Sequence, residues 1–286
     1  MAWTEYADKA LSDWYGLLSA NPEEDAVQEF LELHPAMVPG GSGDIGPGGH
    51  HGSDFGAVFR RPKLTGAGRS FEPDFMWVTR SSSLITPILI EIEKPSKTWF
   101  TKAGRPTQEF TAAHDQLNDW RTWFDLDGNG AVFREKFLIA GDRYRDRPLK
   151  PQFVLVYGRE SEFTREGGHA NPDELRRKRE GLRMADETIM TFDALRPRYD
   201  HGRAITLTMT SLGARLHAFS PVFETGPTTG EAAVQLDDPS AALARSALMP
   251  PERRTYLAER WAFWKAHEQE KAQHPSTIYA HGIGGE

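Results

Sequence analysis

Residues 88–95 read Ile88-Leu89-Ile90-Glu91-Ile92-Glu93-Lys94-Pro95, an apolar run that closes on alternating acids. In a strand, successive side chains alternate faces, so Leu89, Glu91 and Glu93 share one face and Ile88, Ile90, Ile92 and Lys94 the other. Because Ile88-Leu89-Ile90 is apolar on both faces, the strand starts buried and acquires carboxylates only where it emerges, just before Pro95 stops it. A strand face that simply meets water explains Glu91 and Glu93 less well, since it leaves Leu89 on the same wet face. Upstream, Pro73 fixes the start of a second strand, Asp74-Phe75-Met76-Trp77-Val78, and the polar Ser81-Ser82-Ser83 lies between the two. An antiparallel pairing through that turn brings Asp74 beside Glu91 and Glu93. Three clustered carboxylates offer the oxygen ligands a hard divalent cation takes, so Mg²⁺, with Mn²⁺ as a substitute, is the cofactor expected there. Such an ion polarises a scissile phosphate and lowers the pKa of an attacking water. Without metal, mutual repulsion is expected to raise at least one of these carboxyl pKa values.

Working outward, Thr4 to Ser19 has the spacing of an amphipathic helix through Tyr6, Leu11, Trp14, Leu17 and Leu18. Asn21-Pro22-Glu23-Glu24 reads as a helix start, with Asn21 as N-cap, Pro22 at the first position and Glu24 in a capping box, continuing to Pro35. Residues 39–56 form a glycine-rich loop that lacks the Gly-Lys-Ser/Thr of a phosphate-binding loop. Its His50, His51 and Asp54 are metal-ligating types, yet neighbouring histidines in such a loop more often face solvent. Strands are expected at 56–60, 74–80, 86–94, 137–140, 153–157, 188–192 and 204–209. Helices are expected at 107–124, 173–185 and 251–272. That order predicts an α/β fold with a mixed β-sheet flanked by helices. Residues 220–249 are rich in Pro, Gly, Ala and Asp without strong periodicity. The tail Gly282-Ile283-Gly284-Gly285-Glu286 is expected to be disordered. Three segments follow: an N-terminal helix in 1–20, a main domain in 21–215, and a C-terminal extension in 216–286.

The 286 residues carry 34 Lys and Arg against 41 Asp and Glu, a net charge of -7. That balance argues against binding nucleic acid through bulk charge alone, while leaving room for a local basic face. Leu175-Arg176-Arg177-Lys178-Arg179 is the densest basic run, so Arg176, Arg177, Lys178 and Arg179 are the candidate phosphate contacts; a solvated helix face is the plain alternative. With no cysteine there is neither a disulfide framework nor a thiolate zinc site. No apolar run approaches the ~20 residues of a membrane span. Met1-Ala2-Trp3-Thr4-Glu5 lacks the features of a signal peptide, so a soluble cytoplasmic protein is expected. Asp125-Leu126-Asp127-Gly128-Asn129-Gly130 begins like a calcium loop, but Lys136 stands where a bidentate glutamate is needed, and a polar turn fits better.

Pro73-Asp74, sixteen intervening residues and Glu91-Ile92-Glu93-Lys94-Pro95 together resemble the PD-(D/E)XK nuclease signature. More narrowly, the chain is similar to the Shedu antiphage defence proteins. The resemblance rests on Glu24-Asp25-Ala26-Val27-Gln28-Glu29-Phe30-Leu31, Pro73-Asp74-Phe75 and Ile90 to Pro95. It continues through Ala113-His114-Asp115-Gln116-Leu117-Asn118-Asp119-Trp120 and Thr191-Phe192-Asp193-Ala194-Leu195. It implies a restriction-endonuclease-like core, cleavage of DNA with Mg²⁺, and a homo-oligomer, the last also suggested by Tyr256, Leu257, Trp261 and Trp264 on the final helix. It also gives Gln116 a role at the acids, with Trp120 supporting it one turn later. In one place the chain departs from the pattern, because Glu93 stands two residues after Glu91 where a lysine belongs. Lys94 then needs a bulge to turn inward, or Lys97 or Lys102 reaches the acids from the next loop, or Glu93 is itself a ligand. The departure also motivates an alternative, a catalytically decayed nucleic-acid-binding or regulatory module.

Overall fold

A computed structural model describes residues 1–47, 51–137, 146–236 and 238–273. At its centre is a seven-stranded mixed sheet of order β5-β4-β3-β2-β1-β6-β7. The hairpin of β2 (Phe75–Arg80) and β3 (Ile85–Ile92) pairs from Phe75 with Ile90 to Arg80 with Ile85. Its turn is closed by Ser81, whose Oγ accepts from the amides of Ser83 and Leu84. Beyond β3, β4 (Gln152–Val156) and β5 (Glu187–Met190) add in parallel. On the other flank β1 (Ser53–Arg60) is antiparallel to β2 and parallel to β6 (Ile205–Thr210), and β7 (Gly213–Phe219) turns back along β6.

Each sheet face has its own core because the strands are apolar on both sides. Val58, Phe75, Trp77, Ile88, Ile90, Val154 and Val156 pack with Tyr6, Trp14 and Leu18 of α1 (Trp3–Ser19) and Val27 and Leu31 of α2 (Glu24–Leu33). Trp14 also donates from Nε1 to the carbonyl of Phe192 at 3.2 Å, tying the first helix to the chain just after β5. Met76, Leu89, Phe153 and Leu155 point to the opposite face. There they meet Phe110, Leu117, Trp120 and Trp123 of α3 (Gln108–Asp125) and Phe133 of α4 (Asn129–Lys136). A short α5 (Pro172–Glu180) precedes β5. The last segment folds as α6 (Pro227–Gln235), α7 (Ser240–Arg245) and α8 (Pro251–Gln273), whose Ala232, Leu243, Leu257 and Trp261 join this second core.

The mixed α/β class and most elements match expectation; the differences have local causes. Asn21 does not cap α2: it takes a left-handed φ of 52°, which asparagine tolerates, and the helix begins later behind Glu23. Of the strand expected at 137–140, Phe137 instead closes α4, and 138–140 lie outside the described residues. The polar run 125–130 is a turn into α4: Gly128, at φ 86°, is the N-cap. Asn129 is buried, bonding the backbone of Ala67 and Trp123. The charged helix stops at Glu180 rather than 185. β7 forms where no element is expected, α6 and α7 form within the weakly periodic 220–249, and the segment boundary expected at 215/216 falls inside β7. His50 and the tail 282–286 lie outside the described residues. No helix among the described residues is long and apolar enough to cross a membrane.

Candidate functional site

The acids gather at the open end of the β2–β3 hairpin. Continuing the pairing of Phe75 with Ile90 by one step sets Asp74 opposite Glu91, where facing Cβ atoms lie about 4.5–5.5 Å apart. Asp74 is held from three sides. Its carbonyl accepts from the amide of Arg61 at 2.7 Å and from Gln28 Nε2 at 3.4 Å, and its Oδ2 accepts from the amide of Ile92 at 2.8 Å. Burial pushes the Asp74 carboxyl up to about 7, with Glu24 and Glu93 adding to the rise against the Ile92 hydrogen bond and the charge of Arg61. Glu91 is raised well above its ordinary value, first by burial and then by Asp74, Glu93 and Glu24, while a hydrogen bond with Gln116 opposes the shift. Two neighbouring carboxyls of this kind titrate as a pair rather than separately. The buried Oε2 of Glu91 has no hydrogen-bond partner among the described residues.

Around this pair the other candidates separate. Gln116, on the exposed side of α3, reaches Glu91, and Trp120 one turn on is buried in the core beneath it. Glu93 is anchored by its amide to the Val156 carbonyl at 3.2 Å, and its carboxylate pairs with Lys97. Burial alone lowers the Lys97 pKa, but the hydrogen bond and charge of Glu93 outweigh it and the net shift is upward. Lys94 points away, to Glu23 at 2.5 Å before α2. Glu24 has left the capping role: it opens α2 beside the acids, and its carboxyl is raised by burial and then by Glu93.

The basic run of α5 is largely committed inside the chain. Arg179 pairs with Glu160 at 3.1 Å and lies over the Phe163 ring at 4.6 Å; Arg176 pairs with Asp173 at 3.1 Å and Glu160 at 3.5 Å. Lys178 donates to the carbonyl of Gly104 at 2.6 Å. Arg177 is exposed, without an ion pair among the described residues. In the glycine loop, His51 meets Ser82 at 3.3 Å and Asp54 pairs with Arg80, so neither joins the acids. On α8, Leu257, Trp261 and Trp264 are buried within the chain, while Tyr256 is 40% exposed.

Among the described residues, no group of three His, Asp or Glu side chains is already assembled as a metal cage. The Asp74–Glu91 pair, with its orphaned buried oxygen, still fits Mg²⁺. That ion keeps several waters and uses one or two carboxylates plus substrate phosphates rather than an all-protein cage. Glu93 lies on the same strand face, with its Oε2 paired to Lys97.

Residues 21–195, well over half of the chain, match the family described as Shedu protein SduA, C-terminal. The chain belongs to the Shedu family. No curated protein sequence and no solved structure matches it. Shedu membership links the chain to antiphage defence. The matched span starts in the turn before α2 and ends just past β5, so it contains Glu24, Asp74, Glu91, Glu93, Lys97 and Gln116. Lys97 is the residue the strand pattern alone could not single out. Its signal was position: three residues past the Pro95-bounded strand end, a turn brings it back, with its amide donating to the Lys94 carbonyl at 3.0 Å.

Proposed function

We propose that this Shedu chain is a Mg²⁺-dependent DNA endonuclease or nickase of the PD-(D/E)XK superfamily, acting in antiphage defence. The observation that carries the reading is the facing pair Asp74 and Glu91, half-buried together with raised pKa values at the mouth of a hairpin. Two carboxyls that resist ionising side by side are poised to release protons when a divalent cation arrives. The bound ion would polarise the scissile phosphate and lower the pKa of a water. Asp74 and Glu91 would hold it; Gln116 would orient Glu91; Lys97, steered by Glu93, would stabilise charge on the phosphate from the strand's acidic face. In this reading Lys97 fills the place that the sequence pattern assigns to the lysine two residues after Glu91, and Lys94 has a structural part with Glu23.

Cleavage of supercoiled and linear DNA with Mg²⁺ or Mn²⁺ tests this. Asp74→Asn and Glu91→Gln are expected to abolish metal-dependent cleavage while the protein stays folded. Lys97→Ala is expected to lose activity by on the order of 10²-fold, the scale of one lost charge-stabilising group, with Lys94→Ala near wild type. Equal loss at Lys94 and Lys97 would contradict the lysine assignment. Metal-dependent DNA binding without any cleavage would favour the decayed-module alternative.

A further inference from the structure

From Lys94 to Gln108 the sequence carries four cations, Lys94, Lys97, Lys102 and Arg105, and no acid, within a chain of net charge -7. Glu23 and Glu93 take up the first two. Lys102 and Arg105 stand exposed, and their side chains make no ion pair or hydrogen bond among the described residues. The nuclease reading gives neither of them a part.

Both sit on a turn that is firmly built. Phe100 and Pro106 bridge antiparallel at its base. The Thr101 amide donates to the Arg105 carbonyl at 2.8 Å, the Gly104 amide to the Thr101 carbonyl at 2.8 Å, and the Arg105 amide to Thr101 Oγ1 at 3.3 Å. Gly104 takes a φ of 68°, which glycine adopts without strain, and its carbonyl is the one that Lys178 of α5 holds at 2.6 Å. Beneath the turn, the Glu162 carboxylate accepts from the amides of Trp99 and Phe100 at 2.9 Å each, and both of those rings are buried. The backbone is thus fixed before any partner arrives, which lowers the ordering cost of a contact made by its two cations.

Position and charge name the partner. Lys102 follows Lys97 by five residues, so their backbones lie no more than about 18 Å apart, the length of about five phosphates along one strand of a duplex. Exposed Arg177 continues the positive surface on α5, next to Lys178. The neighbouring acids do not cancel it: Glu93 holds Lys97, Asp173 pairs with Arg176, and Glu109 in the first turn of α3 acts on Lys97. A chain of regularly spaced negative charges that passes Lys97 meets Lys102 and Arg105 next. The turn, Thr101-Lys102-Ala103-Gly104-Arg105, has no aromatic ring on which a base could stack, so its contacts are with phosphates.

We propose that the turn 101–105 is a phosphate rail, on which Lys102 and Arg105 hold the backbone of duplex DNA a few phosphates from the one to be cut, whatever its sequence. The partner rests on the nuclease reading; the contact residues do not. Fluorescence anisotropy of the full chain on labelled duplexes of about 20 base pairs, with Ca²⁺ and without metal, at several salt concentrations, is the test. Lys102→Ala combined with Arg105→Ala is expected to weaken binding about tenfold at about 0.1 M salt and to lower the slope of log affinity against log salt by about two. The loss should be alike on duplexes of unrelated sequence, in a protein that melts like wild type. Lys9→Ala combined with Lys271→Ala removes the same charge from exposed pairs on α1 and α8 and should leave binding unchanged. Equal loss in that control, a loss confined to one sequence, or wild-type binding by the Lys102 and Arg105 variant would each overturn the rail while leaving the nuclease reading in place. A wild-type chain that binds no duplex in either condition would overturn both.

Discussion

Asp74 and Glu91 carry opposite instructions for folding and for function. A carboxyl whose pKa is raised on folding binds more protons folded than unfolded, so its contribution is present at low pH and is lost as pH climbs. For Asp74 that window runs from the unfolded value near 3.8 to about 7. Glu32 works the other way. Burial pushes its carboxyl up, but hydrogen bonds from His217, Arg60 and Gln28 outweigh that and hold it down to about 2, so its stabilisation is full above 4.5 and fades in acid. The metal-free protein is therefore expected to melt highest near pH 5, lower at pH 2–3 and lower again at pH 8. Asp74→Asn should flatten the decline on the alkaline side, and added Mg²⁺ should raise the melting temperature most at pH 8. A melting temperature that rises steadily from pH 5 to 8 without metal would contradict the facing pair. The acids were legible in the sequence because strand alternation and the placement of Pro73 and Pro95 fix them in space. The Lys97 contact was not, since a loop side chain obeys no period.

At the scale of elements, α5 illustrates how a basic run divides its labour. Arg176 and Arg179 face Glu160, and Arg179 also covers aromatic rings, whereas Arg177 faces outward. Arg177→Ala is expected to weaken DNA binding and to reduce the slope of log affinity against log salt by about one, leaving the melting temperature unchanged. Arg179→Ala should instead cost about 1–2 kcal/mol of stability, through the lost ion pair and ring contact. Fluorescence anisotropy at two salt concentrations, paired with thermal melts, separates the roles; an exchange of the two outcomes would refute them. The charge run was visible in the sequence, but the partners were not, because Glu160 lies in a separate turn. β7 was missed for a related reason: Gly213-Ala214-Arg215-Leu216-His217 is only half buried and offers no clean alternation, and its place is set by pairing with β6.

Across the whole molecule, the residues after 216 are joined to the sheet by a continuous core rather than appended to it. Phe219 of β7 meets Trp261 of α8 edge-on at 5.6 Å, and Leu257, 2% exposed, sits among them. Leu257→Ala should cost about 2–5 kcal/mol, and it should shift a single unfolding transition rather than split off an early one. Two separated transitions in calorimetry would show the C-terminal helices melting by themselves. Weak periodicity in 220–249 reflects that these short helices are specified by what they cover. The mixed sheet itself was readable, since strands such as Phe153 to Val156 are apolar on both faces and demand helices on both.

The hydrogen bond from the Ile92 amide to Asp74 Oδ2, at 2.8 Å, turns one backbone proton into an observer of the whole site. Its nuclear magnetic resonance frequency should move as Asp74 gains or loses its proton and move again when a divalent cation is added. A single isotope-labelled spectrum, followed through pH and metal titrations, would then report occupancy directly in a protein that has not been asked to cut anything.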